Sequence, residues 1–304
     1  MAIKNCSECG NPVSTKAQSC PNCGAVVKQR TSRLAGCIAV GVIAVMVIAV
    51  LYIVMGPDFR FSMPTGPIEA FKAQEALRRG DSSSEKGDFE SAIAAYSEAI
   101  RLKPDRADAY FGRGVAHAEK NKYDLAIADY TDAIRLSPNH ATYFNRAIAY
   151  TVEKKYDLAV ADWSKAIELS PDAEAYFNRA LIRGERAEYD LAIADYTEAI
   201  RLKPDYALAY VCRGNVFEGK GDHDRAIADY TEAIRAKPDL AEAYLSRGNE
   251  YIEKAEFDRA IADYTDAIRL KPDYANAYHN RGVAYERKGE KTKAEADFAE
   301  AKKR

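Results

Sequence analysis

Residues 192–210 read AIADYTEAIRLKPDYALAY, and nearly the same 19 letters return at residues 226–244 and again at residues 260–278. The proline of this phrase recurs from Pro104 to Pro272 at intervals of 33 or 34 residues. Self-similarity at a fixed period of this length is typical of repeat proteins, in which each unit stacks on its neighbours to bury a continuous core. The sequence therefore predicts a stacked array and not two ordinary globular domains.

Every unit carries the pattern of two amphipathic helices joined by a short turn. Apolar residues recur at helical spacing over two segments of about a dozen residues, and a turn such as Lys220-Gly221-Asp222 separates them. The proline after the second segment ends that helix, because its ring and its missing N–H cannot continue an α-helix. We expect seven such pairs, whose first helices begin near Ala73, Ala107, His140, Ala173, Ala207, Ala241 and Ala275.

Small residues face aromatic residues where the two helices of a unit are expected to cross. The first helix carries glycine or alanine there, at Gly114, Ala147, Ala180, Gly214, Gly248 and Gly282. The second helix carries a large ring, at Tyr130, Trp163, Tyr196, Tyr230 and Tyr264. Large side chains on both helices would hold them apart, so we predict that these rings belong to a close-packed core.

The repeated phrases, the crossing glycines and the terminal prolines resemble the tetratricopeptide repeat family over residues 73–304. The resemblance implies an all-α fold, a right-handed α-solenoid of about seven helix pairs. It also implies that the first helices line a concave groove, which in this family holds an extended peptide or a partner helix. The last helix, from Lys291 onward, is heavily charged and is expected to close the exposed core at the end of the array.

One position departs from the common pattern of the family. The site before the crossing glycine usually holds leucine, but here it holds arginine at Arg79, Arg113, Arg146, Arg179, Arg213, Arg247 and Arg281. Six second helices carry an aspartate just before their aromatic residue, at Asp129, Asp162, Asp195, Asp229, Asp263 and Asp297. A partly buried guanidinium needs a partner, and its planar fork matches a carboxylate. We predict an arginine–aspartate ladder; the alternative is that the arginine stems lie on tyrosines and their heads are solvated.

Helical phase predicts which side chains of the first helices face the groove, namely those shortly after the core tyrosine and one or two turns later. In the middle units they form an apolar strip with asparagines beside it: Phe111, Val115, Phe144, Asn145, Ile148, Phe177, Asn178 and Leu181. Asparagine can both donate to and accept from a peptide backbone. Members of this family that clamp a terminal carboxylate use lysines, asparagines and an arginine. Here no lysine stands at the groove-facing sites after the tyrosine, and acids such as Glu119 and Glu185 follow along the helices instead. The strip therefore predicts an apolar or basic segment of a protein or peptide partner; the alternative is that the phenylalanines only pack within the array.

The cysteines at the N-terminus predict a metal site. Two CxxCG motifs, separated by ten residues, supply Cys6, Cys9, Cys20 and Cys23. Four thiolates on two tight turns suit one tetrahedral, structural Zn²⁺, and residues 1–27 resemble the zinc ribbon family. The alternative of two disulfides requires an oxidising compartment. Residues 1–33 contain no aromatic side chain for base stacking and few positive charges, so we expect no nucleic-acid partner.

An uncharged segment follows the cysteines. Residues 34–55 contain no charged side chain, and as a helix they would span about 33 Å against a hydrocarbon core of about 30 Å. The head is too long for a cleaved signal peptide, and no cleavage site follows. The basic residues of 28–33 precede the span, which places the N-terminus in the cytoplasm and the repeats outside, in the periplasm of a Gram-negative cell. Residues 56–72 contain three prolines and two glycines and predict an extended linker.

The composition restricts the function. Charged residues make up 30% of the chain and the net charge is −2, so the whole chain lacks the basic character of a nucleic-acid-binding protein. Its four histidines are scattered, and we find no nucleophile–base pair or phosphate loop. We therefore predict no enzyme and no small-molecule substrate, but a membrane-anchored, single-pass scaffold that binds a protein partner. The alternatives are an assembly factor that acts through self-association, and a regulator whose zinc ribbon contacts a cytosolic partner or nucleic acid.

Overall fold

The computed structural model describes residues 3–5, 12–14 and 66–304. The chain divides into two compact units, of which the second is residues 66–304. In the first unit, strands β1 (Ile3–Asn5) and β2 (Pro12–Ser14) pair in antiparallel register. The predicted zinc ligands and the predicted span at residues 34–55 lie outside the described residues.

The second unit consists of seven helix pairs. The first helices are α1 (Gly66–Glu85), α3 (Ala107–Glu119), α5 (His140–Val152), α7 (Ala173–Glu185), α9 (Ala207–Gly219), α11 (Ala241–Glu253) and α13 (Ala275–Arg287). The second helices are α2 (Phe89–Leu102), α4 (Tyr123–Leu136), α6 (Tyr156–Leu169), α8 (Tyr189–Leu202), α10 (His223–Ala236), α12 (Phe257–Leu270) and α14 (Lys291–Lys303). Six of the seven first helices begin at the residue that the sequence predicted.

The first of these helices begins earlier than predicted. We placed residues 56–72 in an extended linker, whereas α1 begins at Gly66 and is helical from there. Pro67 lies in its first turn, where a proline is tolerated because its missing N–H would have no helical partner. Residues 68–72, IEAFK, contain no further glycine or proline to stop the helix.

Each turn within a pair depends on one residue with a left-handed backbone. These residues are Gly87, Asn121, Lys154, Ala187, Gly221, Ala255 and Gly289, with φ between 56° and 82°. A left-handed residue after a helix directs the next N–H groups back to the last free carbonyls of that helix. In the fifth pair, for example, the Asp222 N–H donates to the Phe217 carbonyl at 2.9 Å.

The helices of a pair cross closely, as the sequence predicted. A Cβ atom added to Gly114, Gly214 or Gly248 would lie 2.6–2.7 Å from the ring of Tyr130, Tyr230 or Tyr264, respectively. That distance is well inside van der Waals contact, so only glycine fits without displacing the ring. The pairs that carry Ala147 and Ala180 instead bury these alanines completely.

The contacts between helices define the two sides of the array. First helices of successive pairs approach one another along most of residues 66–304, whereas second helices of successive pairs make no comparable contact there. A stack whose inner helices touch and whose outer helices diverge is curved, with the first helices on the concave side. Within the described ranges, no helix combines the length and the hydropathy that a membrane crossing requires.

Candidate functional site

The three phenylalanines predicted for the groove are half-buried. Each contacts an aromatic side chain from the second helix of its own pair, so it packs within the array and keeps one part open to the concave side. The ring centroids lie 6.0 Å apart for Phe111–Tyr130, 4.8 Å for Phe144–Trp163 and 5.8 Å for Phe177–Tyr196. Phe177 also lies 4.9 Å from the ring of Tyr206 in the next pair. These rings therefore connect the core to the groove.

The aliphatic side chains one turn later are more open. Ile148 is 39% exposed and Leu181 is 37% exposed, whereas Val115 is half-buried. Val152, one further turn along α5, is also exposed. Large apolar side chains that stand together on an open face are typical of a surface that binds a partner.

The asparagines of the strip are held by their own helices. The side-chain amide of Asn145 donates to the Ala141 carbonyl at 2.8 Å, and that of Asn178 donates to the Glu174 carbonyl at 2.8 Å. Each therefore uses one N–H within its helix and keeps its carbonyl oxygen for another donor. This arrangement presents acceptors beside the apolar strip at fixed positions.

Sequence reasoning missed the polar half of the groove. At the place of Ile148 in the repeat, α9 has Asn215 and α11 has Asn249. The side-chain oxygen of Asn215 accepts from the Tyr230 hydroxyl at 2.8 Å, and that of Asn249 accepts from the Tyr264 hydroxyl at 2.8 Å. The sequence did contain a signal for this polar half, because asparagine replaces an aliphatic residue at one position of the repeat.

The predicted arginine–aspartate ladder is present in six of the seven pairs. In each, two guanidinium nitrogens donate to the two carboxylate oxygens, and the aspartate is buried. The shortest N–O distances are 2.7 Å for Arg113–Asp129, 2.6 Å for Arg146–Asp162, 2.7 Å for Arg179–Asp195, 2.7 Å for Arg213–Asp229, 2.8 Å for Arg247–Asp263 and 2.7 Å for Arg281–Asp297. The first pair has Ala95 at the aspartate site, and Arg79 contacts the exposed Glu98 at 2.5 Å instead.

Each arginine of the ladder also reaches the preceding pair. Its third nitrogen donates at 2.8–3.0 Å to a hydroxyl on the preceding second helix: Ser97, Thr131, Ser164, Thr197, Thr231 or Thr265. Its guanidinium carbon also lies 5.6–5.9 Å from the ring of the tyrosine three residues earlier. The guanidinium heads therefore lie beside the tyrosine rings and are paired with aspartate, which confirms the ladder; the alternative of solvated heads is wrong for these six arginines. One side chain joins three helices.

Comparison with known families agrees with this geometry. Family models described as tetratricopeptide repeat match residues 77–141, 141–172, 207–240 and 275–304, and one described as TPR repeat matches residues 182–221 and 248–289. The chain is a tetratricopeptide repeat protein. A zinc-ribbon domain model matches residues 2–27, which confirms the resemblance seen at the cysteines. No curated protein matches the sequence closely enough to count as a relative.

Several solved structures share the fold of the helical repeats. The crystal structure of MamA is 25% identical and covers 56% of this chain and 94% of its own, with a TM-score of 0.53. YrrB, described as a TPR protein with an unusual peptide-binding site, is 22% identical and covers 62% of this chain and 98% of its own, with a TM-score of 0.55. The C-terminal part of a repeat protein from Cytophaga hutchinsonii is 17% identical and covers 74% and 93%, with a TM-score of 0.66.

One pair of side chains breaks the repeat pattern. Glu250 is 1% exposed and lies at a position where the other first helices from α3 to α13 carry alanine, isoleucine or valine. Its Oε2 atom is 2.8 Å from Nδ1 of His223 on α10. The hydrogen bond with Glu250 raises the pKa of His223, and burial raises the pKa of Glu250. A titratable contact therefore connects the fifth and sixth tetratricopeptide repeats.

Chemically reactive groups are scarce in the described part of the chain. Cys212 lies on α9, and burial raises the pKa of its thiol, which disfavours the nucleophilic thiolate. No cluster of histidine, cysteine, aspartate and glutamate with the arrangement of a metal site is found in residues 3–5, 12–14 and 66–304.

Proposed function

We propose that this tetratricopeptide repeat protein is a membrane-anchored scaffold whose concave groove binds an apolar or basic segment of a protein partner. The repeat fold is one that serves protein interaction. The observation that carries the proposal is the exposure of Ile148 and Leu181 on the concave side, next to the half-buried phenylalanines. Binding would remove this apolar surface from water, which is the dominant favourable term in most protein association.

The charges beside the strip support a basic ligand and not an acidic one. Among the first helices from α3 to α13, three carry an acid in their first turn and another at their last residue. These acids are Asp108 and Glu119 on α3, Glu174 and Glu185 on α7, and Glu242 and Glu253 on α11. Asp108 is paired with Arg106 at 2.6 Å, whereas the other five make no ion pair within residues 66–304. Complementary potentials accelerate encounter and exclude wrong partners more than they raise affinity.

The anchor and the metal site are part of the same proposal. Residues 34–55 form the single span, residues 1–27 face the cytoplasm and residues 66–304 lie outside it, in the periplasm of a Gram-negative cell. Cys6, Cys9, Cys20 and Cys23 hold one Zn²⁺, whose binding folds the N-terminal unit. The match to a zinc-ribbon domain supports this, as does the position of Cys6 and Cys9 in the chain between β1 and β2.

The groove is tested by capture of partners on the full chain in detergent. The variant Ile148→Ser/Leu181→Ser changes two exposed groove residues and spares the half-buried rings. We expect the captured partner to bind at least about ten-fold more weakly, as for truncated interface anchors. The matched control is Leu158→Ser/Leu191→Ser, which changes two residues of the second helices that are each 50% exposed. Equal capture by both variants would refute binding in the groove.

Self-association is the second candidate function, and one observation favours it. Leu125, Leu158 and Leu191 occupy the same place on α4, α6 and α8, and each is 50% exposed. Three successive repeats thus carry an apolar side chain on the outer helices. Crosslinking of the full chain in membranes distinguishes the candidates: self-association predicts a dimer that is lost in Leu158→Ser/Leu191→Ser, whereas groove binding predicts no change.

A further inference from the structure

A pocket opens at the C-terminal part of the groove, between α11 and α13. Its volume is about 300 Å³, and it is lined by Asn249, Ile252, Glu253, Tyr264, Asn280 and Val283. Ile252 and Val283 supply apolar wall, while the other four side chains bring polar atoms. The volume is at the lower end of the range for small-molecule sites and is sufficient for one long side chain.

The hydrogen bonds of the pocket leave a defined set of groups open. The side-chain oxygen of Asn249 accepts from the Tyr264 hydroxyl and from the Asn280 amide, each at 2.8 Å. Asn249 therefore keeps both of its own N–H groups, and Asn280 keeps its carbonyl oxygen. Among residues 66–304, Glu253 makes no ion pair. The open groups are the NH2 group of Asn249, the carbonyl oxygen of Asn280 and the carboxylate of Glu253.

The surroundings of Glu253 are acidic. Glu250 lies on the same helix, and its pKa is raised first by burial and then by the negative charges of Glu218 and Glu253. The adjacent cation, Lys254, pairs with Asp224 and contacts Glu256. No basic residue lines the pocket. His223 lies near Glu253 but is bonded to Glu250. Within residues 66–304, the pocket therefore offers a carboxylate without a direct ion-pair partner beside apolar walls.

We infer that this pocket receives a cationic side chain, arginine or lysine, from the segment that occupies the groove, an inference that rests on the proposed function. The methylene stem packs against Ile252 and Val283, because long basic side chains bury their stems on apolar surface. The cationic head donates to the Glu253 carboxylate and to the Asn280 carbonyl oxygen. The Asn249 amide remains free to donate to a main-chain carbonyl of the ligand.

The equivalent place between α5 and α7 has the opposite character. Val152 stands there in place of Glu253, Ile148 in place of Asn249 and Leu181 in place of Val283. The groove thus accepts apolar side chains in its middle repeats and a basic one in the last two. This asymmetry fixes the direction in which a segment lies along the array.

Two small probes test the pocket without knowledge of the natural partner. N-acetyl-arginine N-methylamide carries the cation, and N-acetyl-citrulline N-methylamide is its neutral, nearly isosteric twin. Each is titrated into the full chain labelled with ¹⁵N at asparagine, and the side-chain amide signals of Asn249 and Asn280 are followed by NMR. We expect the arginine probe to bind about ten-fold more tightly than the citrulline probe, as for a hydrogen bond to a charged group.

The variants decide the outcome. Glu253→Gln removes the charge from an exposed position, and it is expected to make the two probes bind equally while circular dichroism remains unchanged. Glu295→Gln, which removes an exposed carboxylate from α14 outside the pocket, is expected to leave the arginine preference intact. The pocket assignment is overturned when the parent chain binds both probes equally, or when Glu253→Gln retains the preference. Failure of the proposed groove function is detected separately: it would appear as partner capture that is unchanged in Ile148→Ser/Leu181→Ser.

Discussion

Arg146 and Asp162 face each other across the third helix pair, with Nε and Nη2 of the arginine donating to the two carboxylate oxygens at 2.6 and 2.9 Å. The same relationship, 16 residues apart, recurs in every pair from the second to the seventh. A buried ion pair of this kind is costly to break from one side, because the remaining charge loses its partner but stays out of water. The ladder therefore links each pair internally and, through the hydroxyl of the preceding helix, to its neighbour.

Removing the arginine alone is expected to destabilise the array strongly. Arg146→Met leaves the buried Asp162 unpaired, and we expect the free energy of unfolding to fall by about 3–5 kcal/mol. The double change Arg146→Met/Asp162→Leu removes both charges, and it is expected to cost far less than the single change. Urea denaturation followed by circular dichroism measures both.

The first pair supplies the control for that experiment. Arg79 contacts Glu98 at an exposed position, so Arg79→Met is expected to cost less than about 1 kcal/mol. If Arg79→Met and Arg146→Met prove equally costly, burial of the aspartate is not the source of the effect.

The sequence was a good guide wherever burial imposed a requirement. A guanidinium at a partly buried position needs a partner, so the pairing of Arg146 with Asp162 followed from their positions in the repeat. The crossing of Gly248 with Tyr264 followed in the same way, because the helices could not approach otherwise. Physical necessity made both features predictable.

A second row of ion pairs was not predicted, although it is equally regular. In every second helix from α2 to α12, the second residue is an acid. It pairs with a basic residue in the turn that joins the two helices of the following pair. The pairs are Glu90–Lys120, Asp124–Lys155, Asp157–Arg186, Asp190–Lys220, Asp224–Lys254 and Asp258–Lys288. Exposed charges are satisfied by water, so the sequence contained no physical requirement for them to meet.

The orientation of the groove side chains could not be predicted from the sequence, for a different reason. Helical phase placed Phe144 and Asn145 near the groove, but it did not reveal that Trp163 contacts the ring or that the Ala141 carbonyl accepts from the amide. Both details depend on rotamers, which are decided by neighbours from other helices. Phase predicts a face, and packing decides how much of it remains open.

The turn residues with a left-handed backbone predict that one substitution stabilises the chain and another destabilises it. Ala255 has φ of 58°, a conformation that costs a non-glycine residue about 1–2 kcal/mol. We expect Ala255→Gly to stabilise the chain by up to about 1 kcal/mol, since the strain relieved exceeds the added entropy of the unfolded state. Gly221→Ala, at the equivalent place one pair earlier, is expected to destabilise it by a similar amount. Urea midpoints measure both, and changes of the same sign in the two variants would contradict the strain argument.

The His223–Glu250 contact makes stability depend on pH. The raised pKa of His223 means that its contribution is complete below the ordinary value of 6.5 and is lost as pH rises through the folded value. The raised pKa of Glu250 acts in the same direction, because ionising a buried carboxyl above its ordinary value of 4.5 costs stability. Glu218 and Glu253 also face this pair and add repulsion when ionised. We expect the melting temperature to fall between pH 5 and pH 8.

The junction between the sixth and seventh helix pairs provides the control for this pH dependence. There, α12 carries Phe257 and α13 carries Ala284 at the places of His223 and Glu250. The variant His223→Phe/Glu250→Ala is therefore expected to keep the fold and to flatten the melting temperature over the same range of pH. A slope that is unchanged in this variant would assign the effect to other groups.

The zinc ribbon predicts that metal and folding are coupled at the N-terminus. The full chain is expected to carry one zinc per chain, and Cys6→Ser/Cys9→Ser is expected to lose it, because two thiolates cannot complete a tetrahedral site. Elemental analysis measures the metal. Residues 66–304 should melt at the same temperature with or without chelator, since the four predicted ligands all precede them. If the double variant retained stoichiometric zinc, the metal would have to be bound by residues other than the four predicted cysteines.

The proposed topology places the two ends of the chain on opposite sides of a membrane. Three basic residues, Lys28, Arg30 and Arg33, precede the uncharged segment, whereas Arg60 is the one basic residue among the fifteen that follow it. The cytoplasmic flank of a membrane span carries the excess of positive charge. Alkaline phosphatase fused after Arg304 is therefore expected to be active in a Gram-negative host, because the enzyme needs an oxidising compartment for its disulfides. Added protease should digest the repeats in spheroplasts and spare residues 1–27. Replacing the three basic residues with glutamine and placing three lysines after residue 56 is expected to reduce both the phosphatase activity and the digestion of the repeats by added protease. An inactive fusion with protected repeats would reverse the orientation.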